Sequence, residues 1–243
     1  MSARPFKSTG FSFGLYQTVT SVPAGEEPGM LRIETNGDCY RLAKAGATAL
    51  AAGKLGVSAV LNAAHVNEAI AAAVAIGTKQ LTLTITAGSA IAENQLVGGH
   101  FGINAGTGLG QIYRIIGNSA LAVAGTEIVV TLATGIRVAL DVTSKYTLAY
   151  NRYEAVIESV TIAPAVGWPL VAVTAEYYYW AKTKGDIFAL GTGGLVAGTK
   201  VIQCDATAGS VEIDVAGTGQ TVAIVGGMLS VTTEYYPMIA HID

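Results

Sequence analysis

The alternation of apolar and polar residues changes its period along the chain. From Lys79 onward the period is two: in Leu81-Thr82-Leu83-Thr84-Ile85-Thr86 apolar side chains and threonines alternate strictly, which predicts a half-buried strand. Further runs rich in β-branched and aromatic residues follow at 111–116, 127–132, 137–142, 145–149, 155–162, 171–174, 177–183, 186–190, 200–204, 211–215, 221–225 and 229–235. Most are short and end at glycine-containing turns. The sequence Val-Ala-Gly-Thr occurs three times, starting at Val123, Val196 and Val215, each time just before such a run. It reads as a reused turn in which glycine supplies the positive φ. Without a fixed spacing it does not predict a solenoid or propeller. Many short strands at such intervals predict a mainly β protein, a β-sandwich or barrel-like domain or domains built from short antiparallel strands.

Two regions depart from this rhythm. Residues 41–78 are dominated by alanine, and in 63–77 the positions Val66, Ile70 and Val74 recur at helical spacing. Alanine is the strongest helix former and Gly77 is a natural stop, so a short helix is predicted there. Glycines at 46, 53 and 56 argue against a second helix upstream. Residues 1–40 mix Arg4, Phe6, Lys7, Phe11, Phe13 and Tyr16 with small polar residues, and hold three of the five phenylalanines. They are followed by an acidic turn-rich loop, Val22-Pro-Ala-Gly-Glu-Glu-Pro-Gly29. This segment reads either as an N-terminal arm that docks on a neighbouring chain or as a first strand tucked into its own sheet. The organisation expected is an arm (1–40), an Ala-rich, partly helical segment (41–78) and a β-rich body (79–243), with a further division near 150–175.

Composition narrows the function. Of 243 residues only 13% are charged, about half the usual share, while 51% are hydrophobic and 30 are glycine. Mean hydropathy is +0.47. This is the reverse of a disordered chain. Asp and Glu outnumber Lys and Arg by 17 to 14, so no basic surplus points to nucleic acid. The longest apolar run, Ala69 to Ile76, is far short of a membrane-spanning helix. The start has no apolar core of the kind a signal peptide needs. So charge-poor a surface predicts burial against other chains, in an assembly.

Candidate chemistry is sparse. Gly193 to Gly198 has the glycine spacing of a phosphate loop, but continues Thr199-Lys200-Val201 and sits between predicted strands, with no helix to face a phosphate. Gly106-Thr-Gly-Leu-Gly-Gln111 lacks the last glycine of a dinucleotide fingerprint and predicts a hairpin or bulge. His65, His100 and His241 have no metal-ligand spacing, and no nucleophile elbow surrounds any serine. Glu212 and Asp214 share a strand face, which reads as solvated. Cys39 and Cys204 allow one bridge, with two reduced thiols as the preferred reading. No catalytic residue, cofactor or metal is expected, and the chain is read as not an enzyme. The densest feature is Tyr177-Tyr178-Tyr179-Trp180. On a strand it puts Tyr177 and Tyr179 on one face and Tyr178 and Trp180 on the other, suited to a core on one side and a subunit interface on the other.

Two stretches carry a resemblance. One runs from Asn94 to Asn118, with Gly98-Gly-His-Phe-Gly102 and Gly106-Thr-Gly-Leu-Gly110, followed by Ile128-Val-Val-Thr-Leu132. The other combines Gly167-Trp-Pro169, Ala175-Glu-Tyr-Tyr-Tyr-Trp-Ala-Lys-Thr-Lys-Gly185, Ala197-Gly-Thr199 and Val225-Gly-Gly227. This pattern, over roughly 80–230, resembles virion structural proteins of tailed bacteriophages, in particular capsid cement or decoration proteins. The resemblance implies a homotrimer that binds the major capsid protein on the capsid exterior and stabilises the head, assembled in the host cytoplasm, with neither nucleic acid nor membrane as partner. Arg4, Phe6, Lys7, Phe11, Phe13, Tyr16, Tyr177, Tyr178, Tyr179 and Trp180 are then the candidate capsid or subunit interface. The alternatives are another phage component, a tail or head-fibre protein, and a carbohydrate-binding β module that uses the Tyr177–Trp180 cluster.

Overall fold

The computed structural model describes residues 11–242 apart from Ala24, Ser89, Ala216, Thr218 and 228–233. Arg4, Phe6 and Lys7 lie outside the described residues. The protein is mainly β, with fifteen strands and a single 3-10 turn among the described residues. No described helix is long and apolar enough to cross a membrane. The chain divides into two compact units, a split unit of residues 1–59 with 152–243 and an inserted unit of residues 60–151.

The inserted unit holds β4 (Glu68–Ala69), β5 (Gln80–Thr84), β6 (His100–Ala105), β7 (Ile112–Asn118), β8 (Glu127–Leu132) and β9 (Lys145–Ala149). They form one antiparallel sheet in the order β4-β9-β6-β7-β8-β5. Its two edges come together. Thr86, just past β5, donates its hydroxyl to Glu68 of β4 at 2.8 Å, and Tyr146 of β9 donates to the Thr84 carbonyl at 2.7 Å. The sheet is therefore barrel-like, with these two side-chain hydrogen bonds bridging its edges near the end of β5. Inside lies a cluster that includes Leu81, Leu83, Ile103, Ile115, Val130 and Leu148, with Phe101 against the rings of Tyr113 and Tyr146. The alternation read at 81–86 appears as buried Leu81 and Leu83 between exposed Gln80, Thr82 and Thr84.

The split unit holds β1 (Leu31–Ile33), β2 (Cys39–Lys44), β3 (Gly56–Val57), β10 (Ala165–Pro169), β11 (Tyr178–Gly191), β12 (Lys200–Gln203), β13 (Val211–Ile213), β14 (Ala223–Val225) and β15 (Glu234–His241). Strands β11, β13, β12, β14 and β15 pair in a closed ring, so this sheet is a small barrel. Its filling includes Trp168, Val201, Ala223, Tyr236 and Met238. β11 is the spine. Its first half pairs with β2 and its second half with β15. The sequence predicts two strands here, 177–183 and 186–190. The structure has one continuous strand. Gly185 sits at φ 103°, and a Cβ there would lie 1.8 Å from Asp38 Oδ1, so only glycine lets β11 pass that carboxylate.

The Ala-rich segment corrects the helical expectation. Of 63–77 only Ala63–His65 is helical, as a single 3-10 turn capped by the Asn62 side chain. Asn67 then takes a left-handed φ of 61°, β4 pairs with β9, and Val74 bridges to Leu140. Alanine's helix propensity loses because only Ile70 of the apolar set is buried. A helix with so narrow an apolar face gains less than the sheet contacts made instead. The runs at 137–142, 155–162 and 171–174 are likewise not strands. They contribute isolated bridges through Leu140, Val156, Ile157 and Val173.

Candidate interaction surface

The N-terminal cluster is built on the hairpin of β1 and β2. Phe11 meets the Trp180 ring edge-on at 4.9 Å, Phe13 lies 5.7 Å from it, and Trp180 Nε1 donates to the Phe13 carbonyl. The Arg32 guanidinium lies over both Phe11 and Trp180, is bound to Glu34 at 2.7 Å and donates to the Phe13 carbonyl. Val19 bridges to Tyr178. The described part of 1–40 is therefore not an extended arm. It packs on its own sheet because Trp180 offers a ring face and an N–H that Phe11 and Phe13 meet.

The aromatic run on β11 is core on both faces. Tyr179 (1% exposed) packs with Ala43, Val156 and Val166, and Trp180 (0%) with Phe13, Tyr40 and Leu42. Tyr177 and Tyr178 are half-buried. As interface residues Tyr179 and Trp180 are corrected, since their own chain covers them. Phe13 is buried too, whereas Tyr16 remains 71% exposed.

Beside this cluster lies an open groove of about 1020 Å³. Its floor is the outer face of β11 and β15, where Phe188 pairs with Pro237 and Asp186 with Ile239. Phe188 is 64% exposed and Tyr235 42%. Tyr16, Tyr40 and Leu170 form a wall. Gly53 lines it as well, at φ 70°, where a Cβ would lie 2.7 Å from both the Phe188 carbonyl and the Tyr235 ring. At one end Lys182 Nζ binds Asp38 Oδ2 at 2.7 Å, and Tyr40 donates to the same oxygen. Burial pushes the Asp38 carboxyl up, but the hydrogen bonds from Lys182 and Asn36 outweigh it and leave it below the usual carboxylate range. Burial, then the Asp38 charge, raise the Tyr40 phenol. Both groups keep their charge states at neutral pH, which suits a fixed recognition surface. Sequence reasoning missed this groove. The alternation Asp186, Phe188 and Tyr235, Pro237, Ile239 was its one signal, and Pro237 masked the strand.

The remaining candidates are dispersed. Gly193–Gly198 lies in the connection from β11 to β12, and Gly106–Gln111 in the β6–β7 turn. His100 and His241 are exposed on β6 and β15, and His65 is fully buried. Cys39 and Cys204 are free thiols. The β12–β13 hairpin brings donor atoms of Cys204, Asp205 and Glu212 within 4.8 Å of one another, although the Cys204 sulfur already accepts from Thr192 and the Ala206 N–H. The geometry thus defines a two-unit, barrel-like β protein whose described residues form an open, largely apolar groove on the split unit. Comparison with family models, curated proteins and solved structures finds no match.

Proposed function

We propose that this chain is a structural protein of a tailed-phage virion, of the capsid cement type, which binds the major capsid protein and copies of itself and stabilises the head. The observation that carries this reading is that the described strands and turns display large apolar side chains on their outer faces. Phe188, Tyr235 and Ile239 lie around the groove, and Leu109, Ile112 and Ile116 along and before β7. Such patches on a charge-poor chain favour contact over area rather than chemistry in a cleft. Repeated contacts from a trimer raise avidity without any one being strong. Burial of Tyr179 and Trp180 takes away the exposed platform on which a carbohydrate module would rest.

The test is binding to expanded heads that lack this protein, from the phage that encodes it, imaged by electron microscopy, with light scattering of the free chain. The expected results are added density at three-fold positions and a mass of three chains. A monomer that adds no density would refute the reading. Phe188→Asp and Ile112→Asp should each weaken binding at least about tenfold while leaving the far-UV spectrum unchanged.

A further inference from the structure

The tip of the β1–β2 hairpin carries Asn36-Gly37, and no other asparagine in the sequence is followed by glycine. Thr35, Asn36 and Gly37 are all exposed. The Glu34 N–H donates to the Asp38 carbonyl at 2.9 Å and the Gly37 N–H to the Glu34 carbonyl at 3.0 Å, which closes the turn. Gly37 takes a φ of 90°, so the turn itself asks for glycine there. Asn36 Oδ1 accepts from the Asp38 N–H at 3.1 Å. This turn folds the side-chain amide of Asn36 back over the Gly37 nitrogen. The Cβ of a following residue hinders contact between those two groups, and Gly37 has none. Even a Cβ built there would meet nothing within 4 Å, so a ring has room to form. A nucleophile and an electrophile held together in this way react without first having to meet.

We propose that Asn36 is a covalent modification site, at which the chain deamidates itself through a cyclic imide. The Gly37 nitrogen attacks Asn36 Cγ and loses its proton to solvent. The new N–C bond forms as the Cγ–Nδ2 bond breaks, and Nδ2 takes a proton from solvent and leaves as ammonia. Water then opens the ring at either of its two carbonyls. One opening leaves aspartate at position 36, the other isoaspartate, with an extra carbon in the main chain. No oxidant or reductant takes part. The step gives up the hydrogen bond from Gly37 to Glu34, which water replaces at an exposed tip. Its consequence reaches the groove. The Asn36 side chain and Lys182 both hydrogen-bond the Asp38 carboxylate. A second carboxylate in place of the amide repels Asp38 and competes for the same lysine. The clamp at the end of the groove therefore loosens as the protein ages.

The experiment ages the purified chain in mildly alkaline buffer made with heavy-oxygen water, digests it with trypsin and weighs the peptide 33–41. The expected result is a mass gain equal to NH2 exchanged for OH carrying heavy oxygen, in two separable products. The peptides around the other asparagines should keep their mass over the same time. Asn36→Gln, whose longer side chain would need a larger ring, should lose the gain. Asn36→Asp, which carries the charge from the start, should show a lower urea midpoint by tryptophan fluorescence than wild type. No gain at this peptide in the folded chain would overturn the proposal, whether or not the unfolded chain gains in urea. So would a gain that comes first at another asparagine. An unchanged midpoint in Asn36→Asp would overturn the loosening of the clamp. Every arm uses the free chain, so the outcome is independent of binding to heads.

Discussion

The two units solve the same composition differently. The inserted unit closes one antiparallel sheet around a single cluster that runs from Ile70 to Leu148, mostly aliphatic, all within one stretch of chain. The split unit assembles three clusters from two stretches separated by the insertion. It relies on aromatic and charged contacts between them: Phe11 and Phe13 on Trp180, Lys182 with Asp38, and Lys54 with Glu158. Val57 and Ile157, on either side of the insertion, hydrogen-bond to each other, so the split unit holds its own cut ends together. The difference teaches where the chain places its small residues. Among the described residues the inserted barrel is filled by Leu, Ile and Val with three aromatic rings and no buried alanine, whereas the split unit sets its buried alanines beside its largest side chains, Trp168, Trp180, Tyr179 and Tyr236.

This comparison breaks most readily at Trp180. Trp180→Ala removes the ring that holds Phe11, Phe13 and Arg32 and should cost the split unit about 3–5 kcal/mol. Both tryptophans lie in the split unit, so the fluorescence of Trp168 reports that unit alone during denaturation. The inserted unit's transition, followed by circular dichroism, should stay in place. The reciprocal change is Phe101→Ala, which empties the space between Tyr113 and Tyr146 and should cost the inserted unit about 3–5 kcal/mol with the Trp168 and Trp180 signal unmoved. If either substitution shifts both transitions equally, the two units form one cooperative system and the contrast fails.

A smaller effect sharpens the role of charge in the split unit. Asp38→Ala leaves the Lys182 ammonium, 6% exposed, without its partner, and should cost about 3 kcal/mol. Replacing both, as Asp38→Leu with Lys182→Met, should recover most of that loss, because an apolar pair of similar volume avoids desolvating two ions. Urea midpoints of the two variants decide it. A double variant as unstable as Asp38→Ala would mean that the pair does more than neutralise itself.

What could be read beforehand follows local burial pattern rather than the division into units. In the inserted unit, β8 and β9 coincide with the predicted runs 127–132 and 145–149, and β5 follows the predicted alternation, because each strand is half-buried and period two survives in its side chains. In the split unit β12, β13 and β14 likewise fall in the predicted runs 200–204, 211–215 and 221–225, whereas β2 and β10, like β6 of the inserted unit, went unread. Of the predicted run 229–235, residues 229–233 lie outside the described residues and 234–235 only begin β15. β10 is buried throughout, so Ala165–Pro169 shows no alternation, and β15 carries Pro237 in its middle. The continuity of β11 across Gly185 depends on Asp38, far away in sequence. The groove needs β11 and β15 paired before its residues mean anything together, so no local signal announces it. The aromatic run at 177–180 was visible, but that both its faces are covered depends on segments 11–22 and 152–166, which local pattern does not connect to it.

The smallest predicted effect belongs to the inserted unit and tests whether it depends on charge at all. His65 is fully buried, its Nδ1 lies 3.4 Å from the Tyr150 hydroxyl, and its Nε2 has no partner among the described residues. Burial lowers its pKa from the ordinary value of 6.5, against a weaker opposing pull from Glu68. The folded unit thus resists a proton that the unfolded chain accepts. Stability is unaffected well above 6.5, falls as pH drops through 6.5, and levels off only below the folded-state value. Carboxylates titrate lower and add their own slope, so the informative quantity is the difference between wild type and His65→Leu. From about pH 8 to about pH 5 the inserted unit of the wild type should lose more stability in urea than the variant does, and the variant should match or exceed it at the acid end. Equal slopes would mean that water or a rearranged Tyr150 already meets the buried ring, and that the aliphatic interior tolerates a charge there as readily as the split unit tolerates Lys182.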